Sequence, residues 1–201
     1  MNFYQIHIPV KSKTPKNRLK YINSVLNQIK NGDTYTLIST DNFLNKCQNV
    51  QFLPIDDVLI PLFNRYPYFK ICWDKLFAPN QADLIRMFLL GRTPDMLYLD
   101  TDIQLKDYPK FNNDNELPYF ANSTRFQSAI DFNLIYNNNA FDWFKGYLRR
   151  LEIVLEGNQI HLLNDKLDIT KLWRQLRIYA REFKYNKIND DFFIHHNLMG
   201  K

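Results

Sequence analysis

One segment constrains this chain more than any other: the apolar run Met96-Leu97-Tyr98-Leu99 leads directly into Asp100-Thr101-Asp102. A continuous apolar run reads as a strand buried on both faces, and such strands belong to parallel sheets covered by helices. Acids at its end mark where the strand leaves the sheet. In open α/β sheets, ligands bind beyond those carboxyl ends. The preceding segment reads as a helix, with Asn80 placed to cap it, Asp83 three residues later and Gly91 at its end. Its residues Ala82, Leu84, Ile85, Met87, Phe88, Leu89 and Leu90 cover most of the circumference, which predicts burial. A turn at Thr93-Pro94-Asp95 joins helix to strand.

The rest of the chain extends this pattern. Asn2 to Val10 alternates and is β-rich, which predicts a first strand. Pro15 is placed to open a helix, with Leu19, Ile22, Val25, Leu26 and Ile29 at helical spacing until Gly32. Thr34-Tyr-Thr-Leu-Ile-Ser-Thr40 and Val50-Gln-Phe-Leu-Pro54 read as the next two strands. Residues 55–69 read as helix broken at Pro61 and Pro67, and 107–117 as loop. Strand follows at 129–136, amphipathic helix at 141–155 and again at 168–185, and a last strand in Asp191-Phe-Phe-Ile-His-His196. The expected fold class is α/β, a Rossmann-like, mostly parallel sheet flanked by helices. With no repeat, low-complexity block or Gly/Ser linker, residues 1–201 are expected to form one domain.

Composition narrows the function classes. Hydrophobic residues at 45% and charged residues at 23% are globular values and exclude a disordered chain. Aromatics at 15% suit a core or a site that stacks bases and sugars. Cys47 and Cys72 form no framework and read as thiols in a reducing compartment. No window approaches the roughly 20 apolar residues that cross a bilayer, and residues 1–15, which lack the apolar stretch of a secretory signal, are not expected to act as one. The expected location is cytoplasmic, or peripheral on the inner face of a membrane. Net charge of +5 suits an anionic ligand or surface, but no nucleic-acid motif is present.

The chemistry centres on the acidic pair. On a strand, alternate side chains share a face, so Asp100 and Asp102 are expected to point the same way with Thr101 opposite. Two carboxylates at a strand end make a hard, oxygen-rich site for Mn²⁺ or Mg²⁺ with positions left for phosphate oxygens. The segment Asp100-Thr101-Asp102 is thus expected to hold a divalent cation and a diphosphate. Two rivals share some of these features. A phosphohydrolase of the haloacid-dehalogenase kind also carries Asp-x-Asp after a strand, but near the N-terminus and followed by Gly-Thr, where this chain has Ile103-Gln104. A non-catalytic basic binding module would need no acidic pair.

Asp83, Arg86, Tyr98, Leu99, Asp100 and Asp102 together resemble the sugar-binding Asp-x-Asp region of family-32 glycosyltransferases, which have the GT-A fold. The likeness covers residues 78–105, with fainter echoes in Tyr4-Gln-Ile-His-Ile-Pro9 and in His195-His196 before Gly200. The family's Gly-Gly is here Gly91-Arg92-Thr93-Pro94-Asp95, and its closing Ser-Trp is absent. The resemblance implies a metal-dependent, retaining hexosyltransferase. It would use a nucleotide-sugar donor, UDP-hexose favoured, and a hydroxyl of a glycan or lipid-linked glycan acceptor, as in bacterial surface polysaccharide synthesis. It implies that Asp83, Arg86 and Tyr98 serve the donor, that Asp100 touches ribose or sugar and shares the metal through water, and that Asp102 ligates the metal.

Further candidates follow. On a strand only one of His195 and His196 faces inward; His196, four residues before Gly200, better matches the closing motif, with Asn197 as a substitute oxygen ligand. His7 is a candidate lining residue of the nucleotide pocket, and Trp73 a candidate for stacking on the base. Asp131 and Asp100 are the candidate catalytic carboxylates, Asp131 for oxocarbenium-like charge. The basic and aromatic segment at 168–185 suits either a core-facing helix or one lying on anionic lipid.

Overall fold

The computed structural model describes residues 1–8, 16–40, 44, 50–111, 117–122, 130–164, 184–188 and 190–196. Its centre is a seven-stranded sheet in the order β3-β2-β1-β4-β7-β6-β8. Strands β1 (Asn2–His7), β2 (Thr34–Ser39), β3 (Val50–Pro54) and β4 (Met96–Leu99) pair in parallel. On the other side of β4, β7 (Ile130–Asn137) and β6 (Tyr119–Asn122) run antiparallel, and β8 (Asn186–Lys187) pairs in parallel with β6 at the edge. Strand β4 occupies the middle position, and all four of its side chains are buried. A ribbon of β5 (Ile103–Leu105) and β9 (Phe193–His195) is separate from the sheet.

Helices cover the two faces unequally. One face carries α2 (Ile55–Arg65), α3 (Pro67–Cys72), α4 (Ala78–Leu90) and α5 (Phe141–Gly157), which bury Leu62, Phe69, Leu84, Ile85, Phe144 and Leu148 against Ile6, Met96, Tyr98, Phe132 and Ile135. The other face carries α1 (Lys16–Leu26) and the β5–β9 ribbon, with Ile22, Val25, Ile103 and Phe193 packed on Phe3, Leu37, Leu97 and Leu99. Alternation along β4 divides its residues between the two cores: Met96 and Tyr98 go to one, Leu97 and Leu99 to the other. Fully burying one such aliphatic side chain contributes about 2 kcal/mol. The two cores together hold β4 fixed, and with it the turn that follows.

Several local expectations are corrected. Pro61 sits inside α2 without breaking it; the helix stops at Tyr66, and Pro67 opens α3. Helix α4 begins at Ala78 with Phe77 at its cap position, so Asn80 lies within the first turn and is not the cap. Gly91 does end α4, donating its N–H to Met87. Helix α1 closes at Leu26, and Gly32, at φ +92°, turns the chain into β2. The expected helix at 168–185 lies outside the described residues up to 183, and Lys184 and Tyr185 are not helical. No helix among the described residues is long and apolar enough to cross a membrane.

Candidate active site

Strand β4 stops at Leu99, one residue short of the acidic pair. Asp100 donates its N–H to the carbonyl of Asn133 at 2.7 Å, and its own carbonyl accepts from Ile103 N at 3.0 Å, closing a turn into β5. Gln5 of β1 donates to the same carbonyl at 3.1 Å while its own amide oxygen takes the Tyr35 hydroxyl at 2.6 Å. Asp100 and Asp102 therefore do not share a face by strand alternation. They stand on a tight turn whose main chain is pinned by β1 and β7.

Strand β7 is irregular where it meets this turn. Its pairing with β6 jumps from Phe120–Ile135 to Ala121–Asp131, so Phe132, Asn133 and Leu134 bulge. A bulge releases main-chain groups from the ladder and re-aims side chains. The carbonyl of Phe132 is taken by Arg86 of α4, and that of Asn133 by Asp100.

Arg86 is the hub of one half of the site. Its guanidinium lies 3.2 Å from Asp83 and 3.2 Å from Asp100, and its centre stands 4.4 Å over the Tyr98 ring. Asp83 and Arg86 are one helical turn apart, so they meet on the same side of α4. Both are buried, and burial of an ion pair is tolerated only when its charges and donors are met. The Tyr98 hydroxyl donates to Asp100 at 2.5 Å. Burial pushes the Asp100 carboxyl up to about 6; Asp102 and Asp83 add to the rise, while Arg86 and the Tyr98 hydroxyl oppose it. The side chain is still 30% exposed, so this carboxyl faces both the buried cluster and solvent.

The other half joins Asp102 to the end of the chain. Asp102 is buried, with its carboxylate 3.6 Å from Nε2 of His195. The opposite ring nitrogen, Nδ1, lies 2.7 Å from the side-chain nitrogen of Asn133. The β5–β9 pairing places Ile103 opposite His195, and this register brings the imidazole to the acidic turn. His196 points elsewhere. Its Nε2 is 2.9 Å from Gln104, and its ring stacks on Tyr21 at 4.2 Å. The sequence favoured His196 on spacing from Gly200; the ribbon register puts the His195 ring beside the Asp102 carboxylate, while His196 donates only its main-chain N–H to the Asp102 carbonyl, at 3.2 Å.

No family model and no curated sequence matches the chain. Solved structures do. PaToxG glycosyltransferase superposes with a TM-score of 0.56 at 14% identity, covering 90% of this chain and 76% of that one. Mouse xyloside xylosyltransferase 1 gives 0.54 at 10% identity over 100% of this chain and 99% of that one. LgtC gives 0.53 at 12% identity, covering 94% and 73%. The fold is that of the GT-A glycosyltransferases. At these identities the likeness is one of fold, and the resemblance to family 32 rests on the residues that carry it.

The GT-A frame receives the remaining candidates unevenly. Thr101 is buried, and its hydroxyl accepts from Arg18, which ties the turn to α1. His7 is buried at the end of β1, paired in register with Ser39. Trp73 lies half-buried in the helical layer, edge-on to Phe63 at 5.3 Å, and its carbonyl accepts from Gln81. Asp131 is on β7 opposite Ala121, and its side chain lies outside the described residues, as does Asn197. Two contributors carried no sequence signal, Asn133 and Gln5. Each is an amide in a strand pattern, and only the bulge and the β1–β4 pairing bring them to Asp100.

The Asp102 carboxylate and the His195 imidazole, 3.6 Å apart, are donor types that Mn²⁺ accepts well and Mg²⁺ less well. Among the described residues, no group of three or more His, Cys, Asp or Glu side chains could hold a metal ion. The remaining positions would fall to water and donor oxygens.

Proposed function

We propose that the protein transfers a hexose from a nucleotide diphosphate sugar, UDP-hexose in the first instance, to a hydroxyl of a glycan or lipid-linked glycan. The observation that carries this reading is the contact of Asp102 with His195 on the turn that follows β4, with Asp100 on the same turn held by Arg86, within a GT-A fold. The resemblance in residues 78–105 points the same way and adds retention at the anomeric carbon. A role in bacterial surface polysaccharide synthesis follows from that resemblance.

In this reading Asp102 and His195 would hold Mn²⁺ or Mg²⁺, with Asp100 reached through water. When bound, the cation would supply Lewis-acid charge to the diphosphate that leaves. The protein's own contribution is a rigid frame. Gln5 and Asn133 fix the main chain of Asp100, Arg86 and Tyr98 fix its carboxylate, and Arg18 anchors Thr101. Positioning of this kind lowers the reorganisation needed at the moment of transfer. Peripheral contact with a membrane would bring the enzyme to a lipid-linked acceptor.

The direct test is UDP release from a panel of UDP-hexoses with and without Mn²⁺, with and without simple sugar acceptors. Mn²⁺-stimulated release with at least one donor supports the reading. Absence of release from every donor, in a protein whose melting point no nucleotide sugar raises, refutes it.

A further inference from the structure

We propose that Asn133 is a positioning residue that sets which ring nitrogen of His195 carries hydrogen, and that its amide turns over when a cation binds. Asn133 is buried to 4% exposure on the β7 bulge, with its side-chain nitrogen 2.7 Å from His195 Nδ1. An amide nitrogen only donates, so Nδ1 is the acceptor and the ring hydrogen sits on Nε2, facing Asp102 at 3.6 Å. In that state Nε2 has no lone pair to offer a metal. The amide oxygen of Asn133 is buried and makes no hydrogen bond.

Nitrogen and oxygen of an amide are nearly the same size, so a half-turn about the last side-chain bond exchanges them within one cavity. The oxygen then accepts from Nδ1–H, and the Nε2 lone pair turns toward Asp102. Each setting leaves one amide atom without a partner, the oxygen now and the nitrogen after the turn. Without a cation the first is preferred, because it turns Nε2–H toward the Asp102 carboxylate; a cation between Asp102 and His195 selects the second. Hydrogen-bonding partners behind a ligating histidine commonly fix its tautomer in this way. Asn133 also holds Asp100 through its main-chain carbonyl, so one residue of the bulge braces both halves of the site.

The cation step rests on the proposed reading of Asp102 and His195; the tautomer step does not. The test is two-bond ¹H–¹⁵N NMR of the His195 ring in the metal-free protein at pH 8, above the imidazole range. Wild type, Asn133→Asp and Asn133→Ala are compared, with Mn²⁺ affinity by electron paramagnetic resonance and thermal midpoints alongside. Wild type is expected to carry its ring hydrogen on Nε2 with Nδ1 bare, and Asn133→Asp, which offers only acceptors, to carry hydrogen on Nδ1. Asn133→Ala, which keeps the main-chain bond to Asp100, is expected to weaken Mn²⁺ binding by roughly tenfold. An Nδ1–H tautomer in wild type, or the same tautomer in wild type and Asn133→Asp, overturns the proposal. So does Mn²⁺ affinity in Asn133→Ala equal to wild type. The wild-type spectrum alone remains decisive if a variant does not fold. If the tautomer responds as stated but no form binds Mn²⁺, the cation reading of the site falls and the hold of Asn133 on the ring stands.

Discussion

Arg86 and Asp100 meet at 3.2 Å across the seam between α4 and the end of β4, and Asp83 closes on the same guanidinium from one helical turn away. The arrangement makes Arg86 a structural brace beside its proposed role toward the donor. Truncating it takes the guanidinium away from the buried Asp83 and from Asp100, and removes its hydrogen bond to the Phe132 carbonyl. Arg86→Ala is expected to lower unfolding free energy by about 3 kcal/mol, measured by urea denaturation. A loss below about 1 kcal/mol would show that the cluster does not carry the seam.

Asp100 ties stability to pH across the mildly acidic range. Its carboxyl is raised by burial to about 6, above the ordinary value of 3.8, so the folded state holds the proton that the unfolded chain gives up. Stability is therefore greatest below pH 4 as far as this group is concerned, and is lost as pH rises from 3.8 to about 6. Asp100→Asn should flatten that part of the stability curve, read as denaturation midpoints at half-unit steps. An unchanged slope would contradict the assignment.

How far the sequence foretold this is uneven, and the reasons are physical. The buried strand β4 and helix α4 were legible because a strand covered on both faces and a helix buried nearly all round leave continuous apolar runs. The end of β4 was not, since Asp100-Thr101-Asp102 fits both a strand and a turn, and Gln5 and Asn133 decide between them from other strands. Asn133 itself was invisible because a bulge depends on register with β6. Pro61 misled because its missing N–H is tolerated within α2. Strand β8 is two residues long and too short to leave a pattern.

The two adjacent histidines should separate cleanly. His196 stacks on Tyr21 and bonds Gln104, so His196→Ala should cost about 1 kcal/mol and leave Mn²⁺ affinity unchanged. His195→Ala should reduce Mn²⁺ affinity by on the order of tenfold or more. Titration of Mn²⁺ by electron paramagnetic resonance decides; a reversed ranking would restore His196 as the inward ligand.

Thr101 offers a control that leaves the carboxylates untouched. Its hydroxyl is the acceptor for Arg18, and Thr101→Val keeps the shape while removing it. A loss of about 1–2 kcal/mol is expected. Thermal denaturation of Thr101→Val beside Arg18→Met tests the coupling: the double variant should cost little more than either single one, and full additivity would contradict the link.

The proposed cation-dependent transfer at Asp102 is reached most directly by UDP release from UDP-hexoses across a Mn²⁺ titration, wild type against Asp102→Asn, with thermal midpoints recorded for both. Release that rises with Mn²⁺ in wild type is the predicted result, falling by on the order of 100-fold in Asp102→Asn at an unchanged midpoint. Equal, Mn²⁺-stimulated release from both proteins would contradict it.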